Sequence, residues 1–147
     1  MYKLLLVFLF TGFFATVDKP ADADKVCGKW MSEERNLEVE IYRSGKSFQA
    51  KIVWFKNNDN SRTMEEWTDK HNPDPALRDR KLIGMSILRN MVYDAHSNSW
   101  EDGRIYDAEH GHEWDASAYI DKNGYLKVKG YWHLKFIGKT MTFTRVD

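Results

Sequence analysis

Disulfide bonds are the first thing this chain lacks: Cys27 is its single cysteine, so no internal bridge can form. A domain made from this sequence has to stand on its core and its backbone ladders. Cys27, with Lys25 and Lys29 as the nearest cations in sequence, reads as a small apolar residue. A reactive or intermolecular thiol is the competing reading. An excess of charge is missing too. Lys and Arg together number 22 and so do Asp and Glu, which leaves no basic footprint for nucleic acid. Beyond residue 14 no stretch is apolar enough to cross a bilayer. No serine or cysteine nucleophile motif accompanies the five histidines. There is no internal repeat, and the periodicity asks for no helix of three turns.

The one long apolar run stands at the start. Met1-Tyr2-Lys3 forms a short positive region, residues 4–14 are almost unbroken in their apolarity, and Ala21-Asp22-Ala23 puts small residues where a signal peptidase reads. Cleavage is expected before Asp24, making residues 1–23 a signal peptide and 24–147 one exported domain, periplasmic or secreted. The run is shorter than the ~20 residues of a spanning helix, so no transmembrane segment is expected after cleavage. An uncleaved N-terminal anchor is the alternative. A lipid anchor on Cys27 is disfavoured, because Asp24-Lys25-Val26 lacks the small and apolar residues that precede a lipidated cysteine. About 124 residues remain, enough for one core.

Within that domain the apolar period is two. Leu37, Val39 and Ile41 alternate with Glu38, Glu40 and Tyr42, and Ser44-Gly45-Lys46 turns into a strand over 48–55. Further strands are expected over 28–31, 82–93, 99–107, 112–120, 125–133 and 139–146. Nearly every connection is short, so the pattern predicts an all-β, eight-stranded antiparallel up-and-down barrel, closed to remove its edges. A β-sandwich is the structural alternative. At eight strands the interior suits packed side chains or one small ligand.

The exception is a long polar loop over residues 56–81. Asp74 is a natural N-cap and Pro75 fits a first helical position, so one helical turn is expected there, with Leu77 packed inward. Arg78 and Arg80 have two readings. They meet an anionic ligand group, or they pair with Asp69, Asp74 and Asp79 and hold the loop.

These residues carry a resemblance. Glu38-Val39-Glu40-Ile41-Tyr42-Arg43, Lys51-Ile52-Val53-Trp54, Asn72-Pro73-Asp74-Pro75-Ala76-Leu77-Arg78-Asp79-Arg80, Ile105-Tyr106-Asp107 and Leu126-Lys127-Val128-Lys129-Gly130-Tyr131 resemble the domain of unknown function 2147 family of small exported bacterial proteins. The resemblance runs from Gly28 to Val146. It implies a lipocalin-like (calycin-like) barrel and no enzymatic activity. Two departures stand out. Lys81 replaces a usual proline, and His110-Gly111-His112-Glu113-Trp114 replaces an Asn-Gly-Lys-Thr-Tyr turn, so a ligand of the family need not be shared at that rim. The chain is also similar to lipocalins at its ends. There a Gly-x-Trp on the first strand packs under an arginine of the last, and Trp30 and Arg145 fit those places. Such a pair is worth about 0.5–2 kcal/mol by cation–π attraction.

Chemistry-bearing clusters each have a plain competitor. His110, His112 and Glu113 surround one turn, but no further ligand completes a zinc site, so neither a metal nor another cofactor is expected. Glu101, Asp102, Asp107, Glu109 and Asp115 resemble a pool for acid–base work. Glu113 and Asp115, alternating with apolar neighbours, read better as an outer wall. The functional expectation rests on the presumed inward face. Ala116, Ala118 and Gly130 leave room, and Trp54, Tyr106, Trp114, Trp132 and Phe143 line it, with the long loop near its mouth. The expected partner is a small apolar or amphipathic molecule, with an acidic head group that meets Arg78 or Arg80. The alternative is a filled barrel that serves as an envelope interaction or assembly module, docking through aromatics such as Trp67 and Trp100.

Overall fold

The computed structural model describes residues 22–135 and 137–146. The expected signal peptide, apart from Asp22 and Ala23, lies outside the described residues. Eight strands follow in order: β1 (Gly28–Ser32), β2 (Leu37–Ser44), β3 (Ser47–Phe55), β4 (Ser86–Asp94), β5 (Ser99–Asp107), β6 (His112–Ile120), β7 (Leu126–Tyr131) and β8 (Gly138–Arg145). Each pairs antiparallel with its neighbours in sequence, and β1 closes on β8 through Trp30 opposite Arg145. The result is a closed barrel, not a sandwich. Two strands are shorter than their sequence pattern suggests. β4 begins at Ser86, because Gly84 turns the chain at φ 78°, and β7 ends at Tyr131, with His133 at φ 61° just beyond.

Alternation selects the interior row. Phe48, Ala50 and Ile52 in β3, Ala116 and Ala118 in β6, and Leu126 and Val128 in β7 are all buried. Three irregularities then change its phase. In β4 the buried residues are Leu88 and Met91, three apart, around Asn90 at φ 61°. In β5, Trp100 and Gly103 pair with Ala118 and Ala116 around Asp102 at φ 59°. Between β2 and β3, Val39 pairs with Ile52 but Glu38 with Trp54. Each is a bulge, an extra residue that bends its strand and flips the faces beyond it.

The core is concentrated at one end. Trp30 is fully buried and Trp100 is 1% exposed; Phe48 meets Trp100 edge to face at 6.4 Å. A short 3-10 turn, Asp22–Val26, covers this end. Its carbonyls satisfy both indoles: Trp30 Nε1 donates to Val26 O at 2.8 Å and Trp100 Nε1 to Ala23 O at 3.1 Å. The Arg145 guanidinium lies 4.2 Å from the Trp30 ring centroid and donates to the carbonyls of Cys27 and Lys25. The opposite end carries the β1–β2, β3–β4, β5–β6 and β7–β8 connections, and the candidate site is found there.

Candidate functional site

The β3–β4 loop is held by its own polar side chains. Asp74 caps the turn Pro75–Leu77 by accepting from Ala76 N at 3.0 Å, and Pro75 opens that turn. The expected helical turn is therefore present, but Leu77 is 39% exposed, not packed inward. Cap and arginine contacts already fix so short a turn, with Arg78 Nε donating to Asn72 O at 2.8 Å. Asp69, fully buried, joins loop to barrel. It accepts from Asn72 Nδ2 at 2.7 Å, Arg80 Nη2 at 2.8 Å and the Tyr106 hydroxyl at 2.7 Å. Burial alone would raise the Asp69 pKa, but these donors overcome that and hold it below the ordinary carboxylate value. Burial and the neighbouring Asp69 push the Tyr106 hydroxyl up to about 12.

Outside the barrel wall lies an ion-pair row. Arg104 sits opposite Asp115 in the β5–β6 register, and Tyr106 sits opposite Glu113. Arg89 and Arg104, directly opposed across β4 and β5, share Glu113, and Arg104 also binds Asp115. Like charges facing each other across strands would repel without those carboxylates. Glu113 and Asp115 are thus outer-wall residues, as their alternation suggested.

Loop and wall enclose a cleft of about 440 Å³. Asn72, Pro73, Leu77 and Arg80 form one side, and Ile87, Arg89, Arg104, Tyr106 and Glu113 the other. His112 and Trp132 also line it. A groove of about 530 Å³ on the outer wall, between Ser97, Ser117 and Lys135, is larger but flatter and serine-rich. The cleft is the better candidate because it combines enclosure, aromatic surface and guanidinium groups.

The expected pocket residues do not surround one space. Phe143 is 3% exposed within the core. Trp54 stands opposite Glu38, displaced from the interior row by the β2–β3 bulge. Tyr106, placed inside by simple alternation from Trp100, faces outward because of the bulge at Asp102. Trp114 keeps the interior phase and meets Trp132 edge to face at 5.8 Å, but Trp132 lies past the end of β7 and is 60% exposed. Of the two loop arginines, Arg80 reaches the cleft, whereas Arg78 is engaged by the loop backbone. Beside Gly130 the expected room is taken by neighbours, and Gly103 is crowded as well. A Cβ on Gly103 would run into the Met91 side chain, and one on Gly130 would lie 3.4 Å from Ile105 Cγ2.

Arg89, Arg104 and His112 are cleft residues that sequence alone did not single out as ligand contacts. The available signal was two arginines placed in otherwise strand-like segments. Trp100, considered above as a docking aromatic, is buried and cannot serve as one. His110 Nδ1 lies 2.7 Å from Asp107 Oδ2, and that hydrogen bond raises the His110 pKa above its usual value. Among the described residues, no three His, Cys, Asp or Glu side chains are placed to hold a metal.

Comparison with known proteins bears on the fold and family. A family model described as an uncharacterized protein conserved in bacteria, DUF2147, matches residues 28–145. A solved structure of a protein from the human pathogen Helicobacter pylori, described as belonging to the lipocalin family, is similar over 83% of each chain. Its TM-score is 0.69 at 24% sequence identity, a likeness of fold. No curated protein matches this sequence.

Proposed function

The chain belongs to the DUF2147 family of uncharacterised bacterial proteins and has a lipocalin-type barrel, and from that premise we propose that it is an exported protein that binds a small amphipathic ligand without altering it. The leader motif supports export. The seat of the ligand is the cleft under the β3–β4 loop, and the barrel axis is not required for it. The carrying observation is the cleft's composition: Tyr106, His112 and Trp132 offer flat apolar surface beside the Arg89 guanidinium, whose side chain is 55% exposed. An acidic head group would pair with Arg89, which shares its carboxylate with Arg104, while the ligand's body lies against the aromatic edge and Leu77.

Native mass spectrometry of protein purified from its own export compartment tests this. A discrete excess mass that disappears on unfolding is expected, and Arg89→Ala should weaken rebinding of that molecule by about tenfold to a hundredfold, the loss for one charge-assisted hydrogen bond of roughly 1.5–3 kcal/mol. A bare mass after exposure to an envelope lipid extract would overturn the reading.

A further inference from the structure

We propose that the β7–β8 connection docks the protein onto an anionic phospholipid surface. Three of the large hydrophobic residues that stand exposed fall within this one connection: Trp132 at 60%, Leu134 at 49% and Ile137 at 58%. Scattered singly they would need no explanation, but together at the tip of one hairpin they form a patch that water disfavours. The hairpin's charge identifies what covers it. From Leu126 to Thr144 the sequence holds four lysines and no Asp or Glu, although the whole chain is neutral. Lys139 flanks the apolar tip directly, Lys135 lies within it and pairs with Glu101 of β5, and Lys129 lies on the outer wall behind it.

An apolar tip with a tryptophan, bordered by lysines on an otherwise acid-rich molecule, fits the boundary between phosphate head groups and acyl chains. Indole rings settle at that level, and lysines near an anionic surface add attraction that falls off within a Debye length. A protein partner would satisfy the apolar residues equally well but gives no reason for the absence of carboxylates along the whole hairpin. Trp132 also lines the cleft, so a docked tip brings the cleft to the lipid surface. The proposal does not depend on the cleft holding a ligand.

The test is flotation of the full mature protein with vesicles of phosphatidylglycerol and phosphatidylethanolamine, against phosphatidylcholine vesicles, at low and high salt. Binding to the anionic vesicles is expected to exceed that to phosphatidylcholine at least tenfold and to fall as salt rises. Leu134→Ser/Ile137→Ser and, separately, Lys139→Glu should each lower it about tenfold. All three positions are exposed, so thermal unfolding of both variants should match the parent and rule out misfolding as the cause. Absence of vesicle binding would overturn the proposal, as would equal binding to neutral vesicles or anionic binding that survives both variants. Crosslinking of the hairpin to an envelope protein without vesicle binding would overturn it in favour of protein docking.

Discussion

Asp69 joins two pieces of backbone, and its three donors come from distant positions: Asn72 and Arg80 from the loop, Tyr106 from β5. Its carboxylate is favoured by folding, so its contribution is present above the ordinary carboxylate pKa and is lost as pH falls through the lowered folded value. Tyr106 works in the opposite sense. Its hydroxyl contributes fully below the unfolded value of 10.0 and loses that contribution as pH rises through about 12. The clamp therefore holds across the neutral range and opens at both extremes. Ultraviolet titration should show a tyrosine ionising near pH 12 that is absent in Tyr106→Phe. Asp69→Ala, by leaving donors unpaired, should cost about 1–3 kcal/mol in denaturant unfolding and expose the loop to protease. Half of this clamp was readable in the sequence, since Arg80 had Asp69 within the same loop as a partner. Tyr106 was not, because its position relative to the loop depends on a phase change inside β5.

That phase change belongs to the strands. Alternating apolar residues were enough to find eight strands and their order, because burial on one face leaves a period of two in the sequence. The same rule misplaced Trp54 and Tyr106, both of which lie beyond bulges. A single polar residue in left-handed conformation, Asn90 or Asp102, gives the bulge away only after the structure is known. The bulged segments also explain the glycine of β5. Gly103 has a buried Met91 side chain against it and Ala116 O at 3.2 Å from a built Cβ, so Gly103→Ala overfills the interior. Thermal denaturation should show a loss of about 1–3 kcal/mol. A change smaller than that would mean that Met91 moves aside freely and that the barrel interior has slack.

At the scale of the whole molecule, the barrel is shut at one end by residues from both ends of the described chain. The indole of Trp30 lies beneath Arg145, and the carbonyls of the first turn receive Arg145 and both core indoles. The Gly-x-Trp and terminal Thr-Arg signatures made this end legible, whereas the covering turn was not, since Asp22-Ala23 read as part of a cleavage site; cleavage before Asp24 removes Ala23, the acceptor of the Trp100 indole, and leaves the Val26, Cys27 and Lys25 carbonyls to Trp30 and Arg145. Trp30→Ala should cost about 3–5 kcal/mol in equilibrium unfolding, the range for a large buried aromatic. Arg145→Lys should cost less than Arg145→Ala, because the ammonium keeps the cation–π contact, though its single nitrogen replaces the two that the guanidinium sets against separate carbonyls.

The pairing of β1 with β8 also sets the order in which the barrel can be finished. Arg145 reaches Cys27 and Lys25 across 118 and 120 residues of chain, so closing the barrel carries a large loop-closure entropy, and folding slows accordingly. Until β8 arrives, β1 and β7 both present unpaired backbone. A chain interrupted before its final strand is thus a sheet with two raw edges, ready to pair with its own copies until the missing strand is supplied.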